Sequence, residues 1–491
     1  MTTPIRIDSD AIKQLHGTVY VQQEEKTQEF VDAMEKGDGK SIIWEILKQL
    51  RPGMSLERIT MPTHVMEPRS LLEKLTDYFT HLDLVNAAAN APTAEERMVK
   101  LVQFFLSGFY ITPKACKKPY NPLLGEFYRT SWSHADGSKT FFIAEQTSHH
   151  PPVSSIYACN RQAGWVGTGS LDFVTTFNGL SASAGIQGLI KAKFTKFDED
   201  YEWNFPMALV TGIYIPPLTM EIGGVLNFVC KQSGYKAKVE FKTMSMFSSS
   251  NYRQINGIIS DPEGKPIYEI NGRYDEELFI TDKRTKEKKS FFKVEELKKT
   301  KEQRLVREFD KLHPFESEKL FKRVSDAIIK NDQNLAMEEK FVLEEAQRTQ
   351  RKLNDEKKVE QERRLFDKQG SDHDWKYKWE NWNKYDPETE GEELEIGGKI
   401  VTLKKNEVLN EERIKEILSD VPYPDWKEGE EPPHMLESFK FLLDRYKKVE
   451  DNKDKEEENK EEENKETEEK KEETPTNEND SLCPKAVVAK A

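Results

Sequence analysis

EQTSHHPPVSS, residues 145–155, sets a glutamate, a glutamine and two hydroxyls before a pair of histidines and closes the pair with two prolines. On a regular strand consecutive side chains point to opposite faces, so His149 and His150 reach one ligand together only where the backbone leaves the pleat. Pro151 and Pro152 force that departure. Neither can donate to a ladder, and a residue before proline is driven out of the helical region. The apolar run Lys139-Thr-Phe-Phe-Ile-Ala-Glu145 that leads into the pair reads as a strand, so the stretch is predicted to be a strand that ends or bulges at the histidines. Two partly exposed histidines in an ordinary turn would carry the same local signature.

The surrounding pattern sets the fold class. From about 126 to 282 the chain alternates with period two, as in Lys191-Ala-Lys-Phe-Thr-Lys-Phe197, Tyr235-Lys-Ala-Lys-Val-Glu-Phe-Lys242 and Tyr268-Glu-Ile-Asn-Gly-Arg-Tyr274, with a turn at Asp261-Pro-Glu-Gly264. Many short strands at close spacing imply an antiparallel barrel or sandwich with one face in water and the other on a core or cavity. Helical spacing flanks it. Ile43, Trp44, Leu47 and Leu50 share one face of a short segment stopped by Arg51-Pro-Gly53, Leu71 to Leu82 recur within a block from Ser70 to Leu84, and Ala94 to Tyr110 is apolar around most of its circumference. Residues 293–370 return to helix, rich in Lys, Glu and Arg, and the chain is therefore mainly β with α.

Composition excludes several function classes. No His-Glu-x-x-His or Cys-x-x-Cys occurs, and the cysteines stand alone at 116, 159, 230 and 483, which argues against zinc and against a disulfide framework. Ser148 beside His149 suggests a nucleophile and base, but strand neighbours diverge and no Gly-x-Ser-x-Gly surrounds it. A Walker phosphate loop is absent, and what remains is binding rather than bond-breaking. The formal charge is −14, and residues 451–491 hold 15 acidic and 8 basic side chains, so this tail supplies half of it and is expected to be disordered. No apolar run approaches the roughly 18 residues of a membrane span and no secretory leader is evident, so a soluble, cytosolic protein is expected.

Glu145-Gln-Thr-Ser-His-His-Pro-Pro152 resembles the signature of the oxysterol-binding protein family, which usually has Val or Ile where Thr147 stands; Lys118-Pro-Tyr-Asn-Pro-Leu-Leu-Gly-Glu126 matches the family's second box upstream. Lys340, Glu344 and Arg348 fit the family's polar stripe, and their i, i+4, i+8 spacing puts them on one helix face. The resemblance covers about 40–385. It implies an incomplete antiparallel β-barrel enclosing a lipid tunnel, an N-terminal lid over about 41–60 that includes Ile43, Trp44 and Leu47, and a helical C-terminal part. It implies no cofactor and no nucleic acid. It also implies that Lys118, Asn121, His149, His150, Lys340, Glu344 and Arg348 gather around the 4-phosphate of phosphatidylinositol 4-phosphate, Glu344 orienting a cation. Arg, Lys and imidazole donors suit a phosphomonoester.

The second cargo differs among family members. The stretch from Met61 to Leu72, with Glu67-Pro-Arg-Ser70, is most similar to the phosphatidylserine-carrying branch, departing from it at Met61 and His64, and sterol is the alternative. Asn121 would then meet the serine head group. Glu29-Phe-Val-Asp-Ala-Met-Glu35 resembles the acidic motif that binds VAMP-associated proteins on the endoplasmic reticulum, through Glu29, Phe30, Asp32, Ala33 and Glu35, with Val31 in place of a second aromatic. No pleckstrin-homology or ankyrin segment is visible ahead of the core. The organisation expected is a flexible 1–38, a lipid-binding domain at 39–385, an extension at 386–450 and the acidic tail. A peripheral membrane carrier is the leading expectation, and a lipid-gated sensor or scaffold is the rival.

Overall fold

The computed structural model describes residues 20–22, 63, 66–111, 117–179, 181–212, 219–244, 251–407, 410–421 and 435–443. The lid residues Ile43, Trp44 and Leu47, the motif at 29–35, Met61, His64 and the tail at 451–491 lie outside them. Two units are distinguished, Met1–Ser438 and Phe439–Ala491. The second is described only at 439–443, where the Phe439 and Phe441 rings lie 6.4 Å apart, and all that follows concerns the first.

Among the described residues sixteen strands form one antiparallel sheet. Phe127–Ser133, Lys139–His149, Pro152–Asn160, Trp165–Phe177 and Ala182–Gln187 each pair with the next; Met207–Thr211, Thr219–Cys230, Lys236–Phe241, Gln254–Ser260, Pro266–Arg273, Glu277–Asp282 and Lys288–Lys293 continue the order. Ile190–Phe194 and Glu199–Trp203 make a second bridge between Trp165–Phe177 and Thr219–Cys230, so the sheet forks there. Leu305–Arg307 and Tyr20–Gln22 extend the first edge, and among the described residues the two end strands do not pair. The result is the expected incomplete barrel.

The helix Ala94–Ser107 packs its apolar side into the core with the sheet. Thr93 caps it by accepting from Glu96 N at 3.2 Å, Glu95 and Glu96 favour the positive end of the dipole, and Met98, Leu101, Val102, Phe104, Phe105 and Leu106 are all buried. Phe105 lies 5.7 Å from Trp203 and 5.9 Å from Phe228, while Gln103 donates to the Phe291 carbonyl at 2.5 Å, so one helix touches distant parts of the sheet.

Two helical expectations are revised. The block 70–84 is broken into Leu71–Lys74, a 3-10 turn at Leu75–Phe79, and Leu82–Ala89. The Thr76 and Thr80 hydroxyls donate back to the Glu73 and Asp77 carbonyls at 2.6 and 2.8 Å. The tight turn lets adjacent Tyr78 and Phe79 both reach the core, 5.2 Å from Phe105 and 5.1 Å from Phe142. The region 293–370 holds the helices Lys322–Ile329 and Gln333–Lys357, but also the strand Leu305–Arg307 and half of a hairpin formed by Phe366–Lys368 and Trp375–Tyr377.

A further hairpin, Glu390–Ile396 with Lys399–Lys404, is tied to the barrel by buried charge. Arg129 donates to Glu316 at 2.6 Å and to Glu395 at 2.8 Å; Arg161 donates to Glu393 at 2.9 Å and to Glu390 at 2.8 Å. Guanidinium forks are suited to this bridging, since each offers five donors in a fixed plane.

Candidate functional site

The Lys139–His149 strand reaches the histidines through a one-residue irregularity. Gln146 pairs with Ser154 and Ser148 with Val153, leaving Thr147 extra, and His149 then faces Pro152 across a tight reversal. Its polar side chains hold the bend: Glu145 accepts from Arg364 N and Leu365 N at 2.7 and 2.8 Å, Gln146 donates to Ser148 O at 2.8 Å, and the Thr147 and Ser155 hydroxyls lie 2.8 Å apart. The His149–Pro152 reversal carries a cis His150-Pro151 bond, and the two imidazoles meet edge to face with centroids 4.7 Å apart. The histidines therefore do share one end of the strand.

Gln333–Lys357 is long because it lacks Gly and Pro, and Asp332 caps it by accepting from Leu335 N at 3.0 Å. Ala336, Glu339, Leu343, Ala346 and Gln350 make its narrow buried stripe. Beside that stripe Lys340 pairs with Glu344, and Arg348 lies 3.7 Å from Glu344 and also contacts Glu345. Glu344 thus sits between the two cations. Lys118 is half-buried on the short strand Lys118–Tyr120, parallel to Met66–Ser70, and Asn121 is exposed just beyond it.

Gln347, which sequence reading missed, joins these parts. Its carbonyl accepts from Leu124 N at 2.9 Å, within the Lys118–Glu126 stretch, and its amide nitrogen lies 2.9 Å from His149 Nε2. The amide must donate to Nε2, which puts the proton of neutral His149 on Nδ1. That Nδ1 is buried with no hydrogen-bond partner among the described residues, an arrangement an anionic acceptor would relieve. The signal available in sequence was position: Gln347 is three residues beyond Glu344 and seven beyond Lys340, on the same face. Glu126 fixes the other end of the loop, accepting from Leu123 N at 2.9 Å, Ser317 Oγ at 2.6 Å and Ser70 Oγ, and burial pushes its carboxyl up to about 7.

Burial holds His149 down to about 4, with His150 and Arg351 adding to the effect. The unfolded chain takes up a proton near the ordinary value of 6.5 and the folded one does not. The stability this group contributes above pH 6.5 is therefore lost as pH falls toward 4. At roughly 1.4 kcal/mol per unit, about 2 to 3 kcal/mol should vanish between pH 7 and 4.5. Denaturant titrations of the native chain and of His149→Gln should show the gap between them changing by that amount; a constant gap would mean the imidazole is solvated.

An apolar surface lies elsewhere on the barrel's inner face. Thr175, Ala184, Ala208 and Ile222 stand opposite one another in a row, as do Phe177, Ala182, Val210 and Met220. Phe173, Ile186 and Ile222 on this face pack against the core. Three alanines leave room that larger side chains would fill. By contrast, the cavity bounded by Tyr78, Phe105, Trp165, Trp203 and Phe205 measures about 40 Å3, enough for a water and not for a lipid. Among the described residues no cluster of His, Cys, Asp and Glu is placed to hold a metal, Cys159 and Cys230 are free thiols, and no helix is long and apolar enough to cross a membrane.

Residues 42–386 match the family model for oxysterol-binding protein. The chain belongs to the oxysterol-binding protein family. It is 40% identical over 411 residues to oxysterol-binding protein-related protein 8 of Mus musculus, covering 82% of this chain and 46% of that one. It is 37% identical over 403 residues to oxysterol-binding protein-related protein 5 of Homo sapiens, covering 80% and 46%. The chain thus spans about half the length of these relatives. Its fold is similar to the Osh1 ORD domain solved with cholesterol, at a TM-score of 0.60 and 22% identity over 75% of this chain and 93% of that one. The Osh3 ORD from Saccharomyces cerevisiae solved with PI(4)P gives 0.55 and 20% over 75% and 95%. Family membership accounts for the incomplete barrel and for both sequence boxes.

Proposed function

We propose that this chain is a lipid-transfer protein that binds phosphatidylinositol 4-phosphate and exchanges it for a second lipid, phosphatidylserine, between membranes. The observation that carries the reading is the contact of Gln347 with both His149 and Leu124. That contact draws the histidine turn, the Lys118–Glu126 stretch and the Lys340-bearing helix together around a buried imidazole donor without a partner among the described residues. Family membership and a fold neighbour solved with PI(4)P support the same reading. No bond is broken in the exchange, and the protein contributes a charged clamp for the head group and an apolar face for the acyl chains.

Phosphatidylserine is favoured by the Met61–Leu72 resemblance. In the described part of that segment Arg69 grips Asp77 with bonds of 2.6 and 2.8 Å, and Ser70 bonds Glu126, linking the segment to the loop that bears Asn121. Sterol is the second reading, favoured by the alanine-lined rows and a fold neighbour solved with cholesterol. The lid at 41–60, a VAMP-associated protein at 29–35 and residence at endoplasmic reticulum contact sites belong to the same proposal. Mass spectrometry of co-purifying lipids, followed by exchange between two liposome populations, tests it. Phosphatidylinositol 4-phosphate should move one way only when phosphatidylserine is offered the other way. Coupling to sterol alone would select the second reading, and lipid binding without net movement would select a sensor.

A further inference from the structure

Met337 and Phe341 are 55% and 58% exposed, the two most exposed large apolar side chains among the described residues. They stand at i and i+4 on Gln333–Lys357 and so share one helix face. That face turns to solvent beside the flank that carries Lys340 and Gln347. Farther along it Arg348 and Lys352 are exposed, with Arg351 at its border. Glu338, Glu344, Glu345 and Asp355 share the surface. Glu344 and Glu345 already pair with Lys340 and Arg348, while Arg351 and Lys352 have no ion-pair partner among the described residues.

We infer that Met337 and Phe341 form a wedge that enters the interfacial layer of an anionic bilayer, with Arg351 and Lys352 resting on its acidic head groups. Two side chains are too little for a stable protein interface, which needs on the order of 1,000 Å2, but they suit shallow insertion beside basic residues. Solitary exposed apolar residues are common on soluble proteins; here the two largest exposures coincide on one face, beside cations and one residue from Lys340. The inference rests on the function proposed above and adds how its site meets the membrane: helix insertion would hold the Lys340 flank at the lipid surface.

The test uses the full chain and sedimentation with phosphatidylcholine vesicles with and without phosphatidylserine. Met337→Ser with Phe341→Ser should lower binding to the anionic vesicles by about tenfold or more, the effect expected for two partly inserted side chains, and Phe341→Leu should retain most of it. Inositol 1,4-bisphosphate, titrated in solution as a head-group probe, should bind the double variant as it binds the native chain. Unchanged vesicle binding by the double variant overturns the wedge, as does equal native binding to both vesicle types. Failure of the native chain to bind the soluble probe would count against the head-group site instead, and sedimentation would still decide the wedge.

Discussion

Replacing His149 and His150 together with alanine is expected to weaken phosphatidylinositol 4-phosphate binding by at least a hundredfold while phosphatidylserine loading falls far less. Hydrogen bonds from protein donors to an ionised phosphate contribute about 1.5 to 3 kcal/mol each, and the two imidazoles, 4.7 Å apart, are placed to act on one group. His149 also holds Gln347, so the loss spreads to the Leu124 backbone contact. Gln347→Ala alone should reproduce part of the effect without removing an imidazole. Extraction of each lipid from liposomes, with thermal unfolding as the folding control, separates the outcomes. Equal loss of both lipids by a folded double variant would falsify the assignment of the pair to phosphate.

The largest stability effect is expected at Arg129. Its guanidinium lies between Glu316 and Glu395, and all three side chains are at most 3% exposed. Each ion was desolvated at considerable cost, offset by its partners and their hydrogen bonds. Arg129→Ala would leave two carboxylates buried with one donor fork gone, a loss of about 3 to 5 kcal/mol, which is a large part of a typical domain's total. Arg307, 3.6 Å from Glu395, can take up only part of the charge. Guanidinium denaturation at pH 7 measures the effect. A midpoint shift worth less than about 1 kcal/mol would place these pairs in the class of solvated surface bridges. Because Glu395 lies on the hairpin beyond the matched family region, the variant also measures how firmly residues 390–404 are bound to the barrel.

The local geometry of the candidate site was legible because short-range chemistry wrote it. Two prolines after two histidines leave the backbone few choices, and His149 and His150 emerge together at a strand end. The i, i+4, i+8 spacing of Lys340, Glu344 and Arg348 produces the same ladder on any helix, with Glu344 between the cations. Gln347 was not legible. A glutamine among charged residues resembles any solvated position, and its role depends on a hairpin and a loop nearly two hundred residues or more away in sequence. The break at Leu75–Phe79 was missed for a related reason. Apolar periodicity there is helical, but two adjacent aromatics had to enter one core, and threonine back-bonds stabilised the tighter turn.

By itself the sequence determined the mainly β class, the family, the strand that ends at His149 and the helix face that carries Lys340 and Arg348, because period, proline placement and helical spacing act within a few residues. The tertiary structure decided which polar groups of the signature are taken up by internal support. Glu145, Gln146 and Thr147 belong to the same signature as the histidines, yet their side chains are directed into the protein's own backbone and hydroxyls, since a buried carboxylate or amide must find partners inside the fold. His149 differs from them because Gln347 occupies only its Nε2, and burial keeps the ring neutral with Nδ1 left over among the described residues. That asymmetry arises only where three distant segments meet.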